Sequence, residues 1–182
     1  FVTKEPKKNQ EDEIVFRNSY GSNNLFTNFT SYKGASNKLR YYSYFNFKQG
    51  DGFRKNSFFN SKNFFLKTIY DFNDKSKISF DLTYFTYLTQ QAGGLNDSMF
   101  DTNPFQSNRE RNWFSVDWLL YNLTYSYELN SKKSFSINLF GLNANRNALG
   151  FRVNRVDQID NNGPRDLIYG DFKNVGLEVR FL

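Results

Sequence analysis

The side chains best suited to binding chemistry are five arginines and two glutamines in the longest polar segments of the sequence. They lie in and beside residues 91–112 and within residues 148–170: Gln90, Gln91, Arg109, Arg111, Arg152, Arg155 and Arg165. An arginine presents a planar fork of N–H donors that holds a carboxylate through two hydrogen bonds. Arg109 and Arg111 share strand parity, so we expect both to point inward if the strand that follows extends that far.

The same segments leave a second interpretation open, because acidic residues stand among the arginines at Glu110, Asp157, Asp160 and Asp166. An Arg–Asp or Arg–Glu network that stabilises the loops fits these residues as well as an anion site does. The stretch DQIDNNGPRD at 157–166 contains three of the carboxylates, but it lacks the EF-hand spacing and the closing Glu. We therefore predict a polar turn there and no metal site.

Composition argues against an enzyme. The 182 residues include no His and no Cys, so the chain lacks the usual general base, the commonest metal ligand and any disulfide. No Ser-centred nucleophile motif is present, and we predict that the protein is not an enzyme and uses no cofactor. Lys and Arg interleaved with aromatics also suit single-stranded nucleic acid. Strict alternation explains those aromatics better, so no nucleic-acid partner is expected.

The elements that must position the polar segments are long alternating strands. In SKISFDLTYFTYLTQQAGG, residues 76–94, the apolar residues Ile78, Phe80, Leu82 and Tyr84 alternate with polar ones, which gives one apolar and one polar face. The stretch runs for about fifteen residues, where an ordinary globular strand has roughly 5–6. Similar alternation predicts strands over 13–20, 25–33, 38–48, 62–72, 113–129, 134–147 and 171–182.

The connections between these strands alternate in length. GASN, NDKS and NSKK are tight polar turns, whereas 49–61, 91–112 and 148–170 are much longer, and only 21–24 departs from the pattern. In an up-and-down meander every second connection lies at the same end, and outer-membrane barrels place short turns at one end and long loops at the other. No run approaches the 18 or so apolar residues of a membrane helix. Aromatics, which favour strands, make up 20% of the chain.

These observations predict an all-β fold, a portion of an antiparallel up-and-down transmembrane β-barrel. Ile78, Phe80, Leu82 and Tyr84 would then face lipid. Polar residues on the opposite faces would line the lumen, among them Arg17, Asn46, Lys67, Asp81 and Glu178. Two alternatives stay open: a complete small eight-stranded outer-membrane barrel with a structural or adhesion role, and a soluble β-sheet binding protein.

Several stretches resemble one family of membrane receptors. FVTKEP at 1–6 resembles the segment that leads from the plug domain into the first barrel strand of TonB-dependent outer-membrane receptors. YYSYFNFKQGDGFRKNSFFNSKNFF at 41–65 resembles the second and third hairpins of that barrel. QQAGGLNDSMFDTNPFQSNRERNWF at 90–114 and RDLIYGDFKNVGLEVRFL at 165–182 resemble members from Bacteroidetes-like bacteria that are labelled ferric-citrate (dicitrate) receptors. The likeness covers essentially the whole chain.

The resemblance implies a fragment holding about eight strands of a barrel of about 22 strands. Residues 1–12 would be the plug-to-barrel connection, and residues 13–182 the N-terminal part of the barrel. It further implies siderophore uptake across the outer membrane of a Gram-negative bacterium, with iron present only inside the transported chelate. Outer-membrane lipid, the plug domain of the same full-length chain, and TonB, reached through an N-terminal region, would be the partners.

The implied topology puts the long loops outside the cell, where the seven candidate residues would first meet the chelate. A ferric citrate complex is anionic and rich in carboxylate oxygens, so the arginine forks fit it. Contact with lipopolysaccharide phosphate is the other role that such loop arginines fit.

Overall fold

The computed structural model describes residues 5–150 and 160–182, which form eight strands and one short helix. The strands are β1 (Glu13–Gly21), β2 (Leu25–Ser36), β3 (Leu39–Gly50), β4 (Phe59–Asn73), β5 (Ser76–Gln90), β6 (Trp113–Asn130), β7 (Lys133–Gly150) and β8 (Asp166–Phe181). The helix α1 (Asp97–Thr102) lies between β5 and β6. Alternation predicts every one of these strands but not α1. In the part of the chain described, no helix is both long and apolar enough to cross a membrane.

The strands form a single meander in which each pairs antiparallel with the next, in the order β1 to β8. The register sets Lys67 of β4 opposite Asp81 of β5, and Asp81 opposite Asn122 of β6. Across the described ranges, β1 and β8 each pair on one side only, so the sheet is open at both edges. The eight strands therefore do not close on themselves, unlike those of a complete small barrel.

The connections are sorted by length between the two ends of the sheet, as the sequence predicts. Three tight turns lie at one end, which we call the turn end: residues 37–38, 74–75 and 131–132. Asn37 takes a φ of 52°, and Asn73 Oδ1 accepts two backbone N–H bonds of its turn at 2.9 and 3.0 Å. Asparagine suits both roles because it tolerates the left-handed region and caps turns with its side chain. The opposite end, the loop end, carries the longer connections 51–58 and 91–112, the connection from β7 to β8, and one short exception at 22–24.

One face of the sheet, which we call the inner face, carries nearly all of the buried strand side chains. By register it contains all five residues predicted to line a lumen, Arg17, Asn46, Lys67, Asp81 and Glu178. Apart from Ser76 at the start of β5, the buried strand side chains also lie there: Ser31, Arg40, Tyr42, Phe65, Lys67, Ile69, Val116 and Ala144. Curvature toward one face crowds its side chains, so the inner face is the concave one.

The opposite, outer face is apolar over the half nearer the turn end. Ile78, Phe80, Leu82 and Tyr84 lie on it, in register with a continuing row on β6 to β8: Leu119, Leu123, Tyr125, Ile137, Leu139, Val175, Leu177 and Val179. Toward the loop end the same face carries a polar belt that includes Asn18, Asn28, Gln49, Asn60, Thr86, Asp117 and Asn145. Beyond this belt apolar side chains return, with Tyr20, Leu88, Leu167 and Tyr169 exposed. An apolar band bordered by polar and aromatic residues is typical of a barrel wall.

Two glycines on the outer face allow aromatic rings to lie across the neighbouring strand. Gly34 stands opposite Tyr41, and Gly141 stands opposite Tyr121. Each tyrosine ring covers its glycine, and a Cβ at Gly141 would overlap the ring and lie 2.8 Å from the carbonyl oxygen of Asn174. Any side chain at Gly141 would force the ring or the backbone to move.

Residues 5–12 run along the turn end and are held to the sheet by Arg40. The Arg40 side chain is only 8% exposed. Its guanidinium donates to the carboxylate of Asp71 at 3.0 and 3.2 Å, to Glu5 Oε1 at 3.2 Å and to the carbonyl oxygen of Pro6 at 3.1 Å. The bonds from Arg40 to Glu5 and Pro6 fix the path by which the chain enters β1.

Candidate functional site

Two of the predicted binding residues, Gln90 and Gln91, lie where β5 ends. Gln90 is the last residue of the strand and stands opposite Trp113, which places it on the outer face. Gln91 is exposed, and its backbone N–H donates to the carbonyl oxygen of Asn112 at 2.9 Å. The two glutamines thus lie at the base of the loop 91–112, Gln90 on the outer face and Gln91 exposed to solvent.

The predicted arginines are spread over two loops of the loop end. Arg109 and Arg111 precede β6, which begins at Trp113, so the strand does not extend far enough for its parity to orient them. Arg152 and Arg155 lie outside the described residues. Arg165 immediately precedes β8, and it meets one of the other arginines through a shared carboxylate.

Arg54 joins the loops 51–58 and 91–112 into one unit, which we call the stapled loops. Its Nε and Nη2 donate to the carbonyl oxygen of Gln106 at 3.0 and 2.9 Å. Its Nη1 donates to the carbonyl oxygen of Gly93 at 2.8 Å, and Nη2 also reaches that of Ala92 at 3.4 Å. Hydrogen bonds from a charged donor to backbone carbonyls are stronger than hydrogen bonds between neutral groups. Arg54 therefore binds the second loop at its beginning and near its end.

Further bonds make the stapled loops rigid around this contact. The backbone N–H of Lys55 donates to the carbonyl oxygen of Phe105 at 3.1 Å. Asn56 Nδ2 donates to Ser107 Oγ at 3.1 Å and to the carbonyl oxygen of Arg109 at 3.0 Å. Asn56 has a φ of 58°, a left-handed conformation that asparagine adopts more readily than most residues. Both loops therefore have a defined backbone before any ligand arrives.

Arg109 is half-buried within the stapled loops. A Cβ at Gly93, whose φ is 78°, would lie 2.5 Å from Cγ of Arg109, so only glycine allows this close approach. Burial lowers the pKa of the Arg109 guanidinium from its ordinary value, but an arginine remains protonated in a protein. A fixed cation thus stands in the loop 91–112, as an anion site requires.

Arg111 and Arg165 share the carboxylate of Asp160. Arg111 Nε donates to Asp160 Oδ2 at 2.5 Å, and Nη2 donates to Oδ1 at 2.6 Å. Arg165 Nη2 lies 2.5 Å from the same Oδ2. The side chains of Arg165 and Asp160 are each 5% exposed, whereas that of Arg111 is 41% exposed. This triad ties the loop before β6 to the segment before β8.

The electrostatics of the triad follow from two guanidinium groups sharing one carboxylate. The bond from Arg111 holds the pKa of Asp160 well below its usual range. The same bond raises the pKa of Arg111. The three side chains carry one net positive charge. Arg111 and Arg165 therefore form an Arg–Asp network with Asp160, which is the second interpretation that the sequence leaves open. Contact of either arginine with a ligand remains a prediction.

The end of DQIDNNGPRD forms the polar turn that the sequence predicts, over its described residues 160–166. Asp160 Oδ1 accepts the backbone N–H of Asn162 at 2.8 Å, and Asn161 Oδ1 accepts that of Gly163 at 3.1 Å. Arg111 Nη2 also donates to the carbonyl oxygen of Gly163 at 2.9 Å. Throughout residues 5–150 and 160–182, no group of three or more acidic side chains is placed to hold a metal ion.

The inner face carries a second polar feature, the ion pair of Lys67 Nζ and Asp81 Oδ1 at 2.8 Å. Both side chains are largely buried, at 11% and 20% exposure. Asp81 also borders a cavity of about 600 Å³ on this face, lined otherwise mainly by Phe65, Leu120, Phe140 and Leu142. The predicted lumen side of the sheet is thus apolar in part, which suits packing against protein as well as water.

Sequence reasoning missed Arg54 and α1. A signal for the first is the pair Gly52 and Asn56 on either side of it, since both residue types favour the positive φ values of 71° and 58° that they adopt. A signal for the second is Asn96, whose Oδ1 accepts the backbone N–H of Met99 at 2.8 Å as a helix cap.

The structure is similar to that of the ferric citrate transporter FecA in its unliganded form, with a TM-score of 0.77 and 20% sequence identity over 94% of this chain. The match spans 26% of the FecA chain, so this chain is about a quarter of that length. No protein-family profile matches the sequence, and no curated protein matches it significantly. At this identity the similarity establishes the fold, and it confirms the predicted all-β, antiparallel up-and-down barrel portion.

Proposed function

We propose that the chain is part of an outer-membrane receptor of the TonB-dependent kind, which takes up an iron chelate of the ferric citrate type. The observation that supports this most is the fold similarity to a ferric citrate transporter over 94% of the chain. The Bacteroidetes type and a complete barrel of about 22 strands stay predictions from the sequence resemblance.

The outer face supports a position in the outer membrane of a Gram-negative bacterium. Its side chains include Leu123, Leu139, Val175 and Leu177, which are 37%, 38%, 71% and 67% exposed. A contiguous apolar surface of this kind is costly in water. Lipid removes that cost, and the backbone N–H and C=O groups of β2 to β7 in the band are already paired on both sides along the sheet. Outer-membrane lipid is therefore the partner proposed for this face.

The loop end supports uptake of an anionic chelate. The proposed ligand-binding residues are those of the sequence analysis: Gln90, Gln91, Arg109, Arg111, Arg152, Arg155 and Arg165. Arg109 is a fixed cation in the stapled loops, and the Arg111 side chain of the triad is 41% exposed. Carboxylate oxygens of a bound chelate would meet Arg111, the more exposed of the two triad arginines.

The proposed domain organisation follows the resemblance. Residues 1–12 connect a plug domain to the barrel, and residues 13–182 are the N-terminal part of the barrel. Arg40 supports this division because it fixes residues 5–12 against the turn end, immediately before β1. The plug domain of the same chain and TonB are the partners proposed inside the cell envelope, and iron is cargo within the chelate.

The experiment is growth and uptake of radioactive iron under iron limitation, with ferric citrate as the iron source. Deletion of the gene should abolish uptake, and the full chain should restore it. Arg109→Ala and Arg111→Ala should each reduce uptake, because each removes a donor fork from the loop end. The matched control is Arg180→Ala, which removes an arginine near the turn end and should leave uptake unchanged.

Two results would count against the proposal. If uptake of ferric citrate does not depend on the gene, ferric citrate is not the ligand of this receptor. Uptake that depends on the gene but is unchanged in both loop variants would remove Arg109 and Arg111 from the site.

A further inference from the structure

The segment that leads into β1 is held mainly by polar bonds. All but one of residues 5–12 are at least partly exposed. The carbonyl oxygen of Gln10 accepts the backbone N–H of Ala35 at 2.9 Å, and Asp12 Oδ1 accepts a hydrogen bond from the hydroxyl of Tyr41 at 2.5 Å. Apolar packing therefore contributes little to the position of residues 5–12, which we call the entry segment.

Arg40 makes the attachment nearest the N-terminal end of the entry segment. Its Nη1 donates to Glu5 Oε1 at 3.2 Å and to the carbonyl oxygen of Pro6, the buried residue of the segment, at 3.1 Å. Its Nε and Nη2 donate to the two carboxylate oxygens of Asp71 at 3.0 and 3.2 Å. One guanidinium thus joins the entry segment to β3, which carries Arg40, and to β4, which carries Asp71. We call these four residues the entry clamp.

The entry clamp lies ahead of the β1–β2 pairing on the path of any pull from the N-terminal side. That pairing runs from Glu13 opposite Lys33 to Gly21 opposite Leu25. A pull that reached it directly would break its neutral backbone bonds one after another. The entry clamp meets the pull first, with charge-assisted bonds that are stronger than neutral ones. It passes the pull to β3 and β4.

We propose that the entry clamp is a mechanical anchor, which stops movement of the preceding plug domain at the turn end of the barrel and keeps β1 paired with β2. The inference rests on the proposed function, in which residues 1–12 connect the plug domain to the barrel. Such a connection is stretched whenever the two parts move apart. Because Asp71 holds the guanidinium of Arg40 from β4, the pull is shared by strands that do not neighbour β1. Arg40 is thus a positioning residue and not a contact of the chelate.

The test is extension of the full chain in a lipid bilayer at constant force, pulled by its N-terminus. The readout is the lifetime before β1 and β2 leave the barrel. Arg40→Ala removes both bonds to the entry segment and should shorten this lifetime by about 10- to 100-fold, the equivalent of one charge-assisted bond. Glu5→Ala leaves the Arg40–Asp71 pair intact and removes a partner that is 50% exposed, so it should shorten the lifetime by about 2- to 5-fold.

The matched control is Lys38→Ala, at the same end of the sheet. Lys38 Nζ donates to the carbonyl oxygen of Phe72 at 2.8 Å, so this variant removes a cation bonded to β4 that does not hold the entry segment. Its lifetime should equal that of the wild type. The later steps, in which β5 to β8 leave the bilayer, are an internal control and should be unchanged in every variant.

The outcomes separate this inference from the receptor proposal. Equal lifetimes in the wild type and in Arg40→Ala overturn the anchor; if that variant does not assemble, equal lifetimes in the wild type and in Glu5→Ala overturn it. The same shortening in Lys38→Ala or in the later steps overturns it too, because the effect is then a general weakening of the barrel. The measurement uses no chelate, so the anchor can fail while uptake of ferric citrate depends on the gene, and it can stand when ferric citrate is not the ligand.

Discussion

Replacing Arg54 by alanine tests whether the loops 51–58 and 91–112 form one unit. The guanidinium makes three short bonds, two to the carbonyl oxygen of Gln106 and one to that of Gly93, at 2.8 to 3.0 Å. A hydrogen bond to a charged group contributes about 1.5–3 kcal/mol. The site is half-buried, so water recovers part of this when the side chain is removed.

Counting each of the two carbonyls once at the lower end gives a loss of about 3 kcal/mol in the free energy of local opening. By the factor of ten for each 1.4 kcal/mol, opening should become about 100-fold more frequent. The assay is hydrogen exchange of two backbone amides that the staple protects, those of Lys55, bonded to Phe105 at 3.1 Å, and Asn108, bonded to Ala92 at 3.2 Å.

The matched control is Lys55→Ala, one residue away. The Lys55 side chain is 70% exposed and lies 3.6 Å from Glu110, and an exposed pair of this kind contributes little. Exchange should therefore be unchanged in the control. Equal protection in Arg54→Ala and the wild type would refute the staple, and so would an exchange increase spread evenly over the strands.

Three further predictions concern other parts of the molecule. Because the pKa of Asp160 is lowered, its carboxylate should hold residues 160–165 in place above about pH 4 and should release them only as the pH falls further. The rate of proteolysis within residues 160–165, measured against pH, tests this, and the Asp160→Asn variant should be cleaved at every pH. Gly141→Val should destabilise the barrel by about 1–3 kcal/mol through overlap with Tyr121, measured by urea unfolding, whereas Gly94→Ala should be neutral because a Cβ there meets nothing within 4 Å. Arg40→Ala should cost about 3–5 kcal/mol in the same assay, because it leaves the largely buried carboxylate of Asp71 unpaired; a loss below 1 kcal/mol would show that the pair contributes as little as a surface one.

The strands and their faces are predictable from sequence because the signal is local. Alternation from Ile78 to Tyr84 assigns each side chain to a face, and the structure places every predicted lumen residue on the inner face. Short polar turns rich in asparagine fix the pairing of adjacent strands. A meander needs no more than this, since each strand pairs with its sequence neighbour.

The loop contacts are not predictable in this way because their partners are far apart in sequence. Arg54 and Gln106 are separated by 52 residues, and Arg111 and Asp160 by 49. No periodicity relates such positions, and the sequence could only list the arginines with two alternative roles. The structure assigns Arg111 and Arg165 to a network with Asp160 and introduces Arg54, which residue type alone did not distinguish from other loop cations.

We propose that the outer face of this sheet lies against lipid and that the inner face does not. The chain contains no cysteine, so single cysteines can be placed at residues 78–84 of β5 in a cysteine-free full chain and spin-labelled in a bilayer. Accessibility to oxygen, which concentrates in lipid, should alternate with period two, high at Ile78, Phe80, Leu82 and Tyr84 and low at the residues between them. Uniform accessibility, or access to a water-soluble reagent at those four positions, would contradict this placement of the outer face.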